Sequence, residues 1–209
     1  MAEKHPVTLD RPLWLASGSR YRRELLSRLG LPFAWRSSEV EESRIAAESP
    51  DALALRLALA KARAIADQEP RALVIGSDQV CALGDECLGK PGDPAAQIEM
   101  LARLSGRIAT FHTAVTLIGL EAGVWQRHQD ETRCVFRKLG SAEIEDYVAR
   151  EPATDCAGGF KVEGLGISLF ERLESSDPTA LIGLPLIWLA QALRPFVRPC
   201  AQPSGHVPR

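Results

Sequence analysis

The sequence predicts an α/β fold built on a mixed β-sheet, and three observations lead there. Short apolar runs such as Leu73-Val74-Ile75 alternate with capped helical segments, the pattern of helices packed on a sheet. Two long extended stretches, residues 110–119 and 124–136, flank a turn at Glu121-Ala122-Gly123, and such a hairpin makes the sheet mixed rather than wholly parallel. The 209 residues are 45% hydrophobic, enough for a core and too apolar for a disordered chain. That length suits one domain, or two lobes on a shared core.

Residues 1–10 are polar and charged and read as a loose leader without the apolar stretch of a signal peptide. Residues 13–16 form a short strand that feeds a helix over 20–29, with Ser19 as its cap and Gly30 ending it in a left-handed conformation. Ser49-Pro50 opens the next helix, Ser as cap and Pro at the first position. Its apolar face is read as Leu53, Leu57, Ala60 and Ala64. Leu73-Val74-Ile75 is a strand buried on both faces, ending at Gly76-Ser77-Asp78; residues 80–83 continue extended to a turn at Gly84-Asp85-Glu86. Asp93-Pro94 starts a helix closed at Ser105-Gly106. After the hairpin, Ser141 caps a helix through Ala149, residues 164–173 give a strand, and Pro185 opens a last helix through Leu193. The breaker-rich residues 198–209 read as a fraying tail, so the domain is expected over 11–197.

A net charge of −2 leaves no basic excess to displace counterions, which argues against general nucleic-acid binding. No apolar run is long enough to span a bilayer, so no membrane association is expected. The five cysteines (Cys81, Cys87, Cys134, Cys156 and Cys200) are scattered and lack CxxC spacing, which suits reduced thiols in the cytoplasm.

The candidate chemistry begins at Ser17-Gly18-Ser19-Arg20-Tyr21-Arg22-Arg23. A helix start offers unsatisfied N–H groups and the positive end of the dipole, so it is a place for phosphate. Arg22 and Arg23 fall in its first turn, where cations are misplaced unless an anion sits above them; otherwise they are solvated surface charges. Asp78, just past a buried strand, would face a crevice at the sheet's edge, as a base or metal ligand; alternatively it stabilises a turn. The acidic cluster Glu39, Glu41 and Glu42 is a solvated loop unless a second carboxylate converges on it. Asp78 could supply that carboxylate, and Glu42 and Asp78 would then hold Mg²⁺ or Mn²⁺. Lys61 is a lone cation in a small apolar helix face, either aimed at something or snorkelling to solvent. Lys90 lies between Gly89 and Pro91, and Lys161 in a Gly-flanked loop; both are placed to meet phosphate. Only five of the 25 basic residues are Lys, and these three fall at motif positions. His112 reads as a strand residue, and the four Trp are too dispersed for a base-binding platform.

In order along the chain, Ser19-Arg20-Tyr21-Arg22-Arg23, Glu39-Val40-Glu41-Glu42, Leu59-Ala60-Lys61-Ala62, Gly76-Ser77-Asp78-Gln79-Val80, Leu88-Gly89-Lys90-Pro91 and Cys156-Ala157-Gly158-Gly159-Phe160-Lys161-Val162-Glu163-Gly164 resemble the motifs of the Maf family of nucleotide pyrophosphatases. The last run resembles the family's 7-methyl-GTP subgroup, and the match spans roughly residues 13–194. The chain departs from the pattern at Gly18, Arg20 and Tyr21, where a hydroxyl residue, Pro and Trp are expected. The resemblance implies an elongated mixed sheet with two lobes around a central cleft, of Maf/ITPase-like type. It implies cleavage between the α- and β-phosphates of a nucleoside triphosphate, a divalent metal cofactor and a homodimer. Carried over residue by residue, it implies Asp78, Lys61 and Lys90 as catalytic residues. Ser19, Arg22, Arg23 and Lys161 would bind phosphate, Tyr21, Gln79 and Glu163 would choose the base, and Glu42 and Asp78 would hold the metal. The alternatives it leaves are the dTTP/UTP branch and a non-catalytic nucleotide-binding regulator of cell division.

Overall fold

A computed structural model describes residues 7–199. Its main sheet has seven strands: β2 (Leu13–Leu15), β3 (Ala34–Trp35), β4 (Leu73–Leu83), β5 (Glu86–Leu88), β6 (Ile108–Gly119), β7 (Val124–Phe136) and β8 (Phe170–Glu174). They lie in the order β3-β2-β4-β6-β7-β8, with β5 beside β4. Only β2–β3 and β2–β4 are parallel; the remaining pairings are antiparallel, as the hairpin-rich sequence predicts. The helices are α1 (Arg20–Ser27), α2 (Pro50–Ala66), α3 (Pro94–Leu104), α4 (Ser141–Arg150) and α5 (Leu186–Leu193). Among the described residues no helix is long and apolar enough to cross a membrane.

Alternation along β4 sorts its side chains onto two faces. On one face Leu73 and Ile75 join Leu25 and Leu26 of α1 and Leu189 and Leu193 of α5 in an apolar cluster. Further along that face, Cys81 and Leu83 join Leu101 and Leu104 of α3, Ile144 and Tyr147 of α4, and the rings of Phe111, Phe136, Phe160 and Phe170. Between these clusters stand polar side chains, Ser77 and Gln79 of β4 and Thr113 of β6, the last paired directly with Gln79. The core on this face is therefore split in two, and the split is the cleft between lobes. On the opposite face α2 packs against Val74, Val80, Ala114 and Ile118.

α2 lies close to β4 because Gly76 faces it. A Cβ at Gly76 would stand 2.2 Å from the Ala58 carbonyl oxygen and 2.5 Å from the Ala62 nitrogen, so any side chain must push the helix off the sheet. Gly76→Ala is expected to destabilise the fold by about 3 kcal/mol, the upper range for overpacking. Urea unfolding checks this: the midpoint should fall with the slope unchanged.

Several local expectations need correction. The strand expected to stop at Gly76 runs through to Leu83, because β6 pairs it from Val74 to Ala82; Asp78 is mid-strand, not past a strand end. α1 stops at Ser27 rather than residue 29, with Gly30 at φ +67° beyond it. The buried face of α2 is Leu53, Ala54, Leu57, Ala58, Lys61, Ala62, Ile65 and Ala66. Ala60 and Ala64 are only half-buried, since the buried stripe is centred on the Ala54, Ala58, Lys61 and Ala62 side of the helix. Ser49 precedes α2 without a side-chain capping bond. Gly140, not Ser141, occupies the cap position of α4. Residues 165–169 form a 3₁₀ turn before β8. The loose leader is a strand in part: β1 (Val7–Leu9) pairs antiparallel with β9 (Val197–Pro199), which also draws residues 198 and 199 out of the expected tail. Residues 1–6 and 200–209 lie outside the described residues.

Candidate active site

The sheet has an opening beside β4. β2 pairs with β4 at Leu73–Ile75 and β5 pairs with it at Cys81–Leu83. Among the described residues no strand covers that edge from Gly76 to Val80. Ser17-Gly18-Ser19 leaves β2 beside this gap and enters α1, while Lys90 follows β5 on its other side. Asp78 and Gln79 are adjacent on the open edge and point to opposite faces.

On the α2 face, the Lys61 ammonium lies 2.6 Å from Asp78 Oδ1 and 2.6 Å from Glu42 Oε1. Lys61 is therefore not a snorkelling surface residue: it and Asp78 are each 7% exposed. Asp78 Oδ2 accepts no hydrogen bond among the described residues, leaving one carboxylate oxygen for a ligand or water. Glu42 and Asp78 both converge on the Lys61 ammonium. Two carboxylates suit a hard divalent cation that completes its shell with phosphate oxygens and water. Among the described residues no group of three or more His, Cys, Asp or Glu side chains converges in that way.

On the other face lies a cavity of about 170 Å³. Ser19, Tyr21, Arg22, Gln79, Lys90, Lys161 and Glu163 all line it, so seven predicted residues from four separate segments meet there. Ser19 caps α1, its hydroxyl accepting from the Arg22 N–H at 3.4 Å. The Arg22 Nε donates to the Gly183 carbonyl at 3.0 Å and its Nη1 to the Ser17 hydroxyl at 3.3 Å. Burial lowers the pKa of Arg22, opposed by the Asp78 and Glu42 carboxylates, a coupling that links the two faces of the sheet across the gap. Arg22 has no carboxylate in ion-pair contact among the described residues, and neither has Lys90, which is exposed. The Lys161 ammonium donates to the Pro152 carbonyl at 2.6 Å and lies 3.9 Å from Asp155. Glu163 is exposed and makes no hydrogen bond or ion pair among the described residues.

Arg23 departs from the expected set. Its guanidinium stacks on the Trp35 ring, 3.9 Å from the centroid, and it does not line the cavity. In an α-helix, residues one apart point about 100° from each other, so α1 cannot aim both arginines at one ligand.

Tyr21 OH lies near Arg20 at 3.5 Å and the Cys156 thiol at 3.9 Å. Burial, with the neighbouring Cys156 and Asp155, pushes Tyr21 up to about 12, so it meets a ligand as a neutral phenol. Cys156 is pushed up to about 11, chiefly by burial, so its thiol is protonated and a weak nucleophile at neutral pH.

The loop bearing Lys161 and Glu163 is held from below. Glu151 accepts from the Leu165 and Gly166 N–H groups at 3.1 and 2.9 Å. Buried Gln97 bridges the Ala153 N–H and the Gly159 carbonyl at 3.1 and 3.0 Å. Sequence reasoning missed these supports, along with Ser17, Ser77, Thr113 and the carbonyls of Ala180, Leu181 and Gly183. One signal was available: Gly183 before Leu184-Pro185 adopts φ +122°, and a Cβ there would press within 3.4 Å of Arg22 Nε.

A family model described as Maf-like protein matches residues 12–196. A protein of Cupriavidus metallidurans named 7-methyl-GTP pyrophosphatase is 51% identical over 188 residues, covering 90% of this chain and 94% of that protein. A protein of the same name from Xanthomonas oryzae pv. oryzae is 55% identical over 182 residues, covering 87% and 95%. Among solved structures, the Staphylococcus aureus Ham1 protein aligns with a TM-score of 0.47 at 15% identity, covering 61% of this chain and 73% of that one.

Proposed function

The chain belongs to the Maf-like protein family, and from that premise we propose that it hydrolyses 7-methyl-GTP to 7-methyl-GMP and pyrophosphate. The observation that carries this reading is the cavity itself, which sets Arg22, Lys90 and Lys161 beside the acceptor Glu163 and the ring of Tyr21. The names borne by relatives at 51% and 55% identity support the same substrate.

A triphosphate carries several negative charges that must be neutralised before a nucleophile can approach. Arg22, Lys90 and Lys161 supply that neutralisation, which counts most as charge develops in the transition state. Asp78, with Oδ2 free and Oδ1 fixed by Lys61, orients the attacking water and takes its proton. The bond between the α- and β-phosphates breaks and pyrophosphate leaves. Glu42 and Asp78 would hold a magnesium or manganese ion, which when bound supplies further positive charge to the phosphate oxygens. A nucleotide-binding regulator has no need for a water-activating carboxylate, so the free Asp78 oxygen favours catalysis. The free thiols of Cys81, Cys87, Cys134 and Cys156 and a nucleotide substrate fit work in the cytoplasm.

The base end explains the substrate choice. A 7-methylguanine ring is cationic and is drawn to an aromatic face or a carboxylate. Glu163 can accept from the guanine N1–H and exocyclic amine, a donor pair that uracil and thymine lack. The direct test is pyrophosphate release from 7-methyl-GTP, GTP, UTP and dTTP, with and without Mg²⁺. Preference for 7-methyl-GTP supports the reading; preference for UTP or dTTP moves the chain to the other branch, and no release with any of them removes the enzyme assignment.

Lys90→Ala is the cleanest probe of phosphate binding, because Lys90 has no hydrogen-bond or ion-pair partner to lose among the described residues. KM should rise about tenfold for all four nucleotides, the scale of one charge-assisted hydrogen bond, and its salt dependence should weaken. Unchanged KM across all four would remove Lys90 from the phosphate set.

A further inference from the structure

The segment between β8 and α5 is tied down by one buried carboxylate. Asp177 is 3% exposed. Its Oδ1 accepts from the Thr179 N–H at 2.9 Å and the Thr179 hydroxyl at 2.6 Å, and its Oδ2 from the Ile187 N–H at 2.7 Å. Thr179 Oγ1 in turn accepts from the Leu186 N–H at 2.9 Å. The start of the loop is thus fastened to the start of α5, and charge-assisted bonds of this kind are the strong ones.

The chain between these ties turns three carbonyls into the cleft. Gly183 O accepts from Arg22 Nε and from Ser77 Oγ, both at 3.0 Å. Ala180 O accepts from Gln79 Nε2 and Thr113 Oγ1, both at 3.0 Å, and Leu181 O from Gln79 Nε2 at 2.9 Å. Gln79 Nε2 therefore faces two backbone carbonyls, which can only accept, and the Thr113 hydroxyl at 3.0 Å. Both its N–H groups are spent. The atom of Gln79 left for a ligand is Oε1, a pure acceptor, which suits a base edge carrying N–H donors.

We propose that Asp177 is a positioning residue which, through this one loop, both aims Arg22 at the phosphates and holds Gln79 as an acceptor toward the base. It touches neither end of the substrate and does not line the cavity. The identity of the preferred base rests on the pyrophosphatase reading above; the coupling rests on the loop alone.

The test is kcat/KM and KM for 7-methyl-GTP and UTP in wild type, Asp177→Asn, Thr179→Val and Thr179→Ser. Asn turns an amide donor toward N–H donors and loosens the loop. KM should rise for both nucleotides as Arg22 loses its aim, and the 7-methyl-GTP to UTP ratio should fall as Gln79 becomes free to flip. Each change should be about tenfold, the scale of one hydrogen bond to a charged group. Thr179→Val should shift both quantities the same way by less, and Thr179→Ser, which keeps the hydroxyl, should stay near wild type. A purely structural loss lowers the active fraction for every nucleotide alike and leaves both KM and the ratio unmoved, so that pattern overturns the proposal. So does a change in one quantity without the other, which would break the coupling. If Asp177→Asn does not fold, Thr179→Val decides. A wild type that prefers UTP overturns the substrate reading alone; the variants must then erode that preference instead.

Discussion

Asp78→Asn should lower pyrophosphate release by a factor of about 10²–10⁴, the usual size of a general-base contribution, while nucleotide binding survives. The separation is expected from the geometry. The cavity-lining cations Arg22, Lys90 and Lys161 lie on the opposite face of β4 from the Asp78 side chain and lose no hydrogen bond or ion pair by the change. An amide keeps one oxygen for the Lys61 ammonium but can neither take a proton nor bind a cation strongly. Lys61 retains Glu42 at 2.6 Å, so it is not stranded as an unpaired buried charge, a situation that costs several kcal/mol. Turnover and equilibrium binding of 7-methyl-GTP, measured on variant protein whose circular dichroism matches wild type, check the two halves. A variant keeping more than about a tenth of wild-type turnover would fall outside the range of a base of ordinary size.

Glu163→Gln should impair 7-methyl-GTP and GTP far more than UTP or dTTP. Because Glu163 is exposed and holds no internal bond among the described residues, the substitution leaves the loop's supports at Glu151 and Gln97 in place. The carboxylate offers two acceptors and a negative charge; the amide offers one acceptor, turns a donor toward a donor and removes the charge. About 1.5–3 kcal/mol is the scale for hydrogen bonds to a charged group, or one to two decades in kcat/KM. Equal losses for all four nucleotides would give Glu163 a structural or catalytic role in place of base choice.

Together with the Asp177 test, these variants examine three depths of one site: the reacting end, the base end and the loop that aligns them. Their signatures differ. Asp78 moves kcat, Glu163 moves the ratio between bases, and Asp177 moves KM and that ratio together.

Much of the site was legible in the one-dimensional chain because its chemistry is local. A serine before a helix start, a lysine in an alanine-rich helix and a lysine between Gly89 and Pro91 declare themselves by contrast with their neighbours. That Glu42 and Asp78 meet at Lys61 was left open by the sequence and is shown by the structure. Arg23 shows the limit. Its charge is as visible as that of Arg22, but only the placement of Trp35 in β3 reveals a ring waiting to hold it. Asp78 shows another: the apolar run before it stops at Ile75, so the sequence reads as a strand ending at Gly76-Ser77-Asp78. The partner that keeps it extended, β6, lies more than thirty residues away along the chain.

By itself, then, the sequence determined the α/β class, most helix starts, the hairpin and the polar and charged groups on which chemistry can rest, since capping, periodicity and side-chain type act over a few residues. The tertiary structure alone decided that Asp78 and Gln79 point to opposite faces of one strand, at a gap left between β2 and β5. It alone decided that three carbonyls from residues 180–183 would choose how Arg22 and Gln79 point. The reason is physical: backbone carbonyls are the same at every position, so no residue letter marks which of them a distant side chain will meet until packing brings the two together.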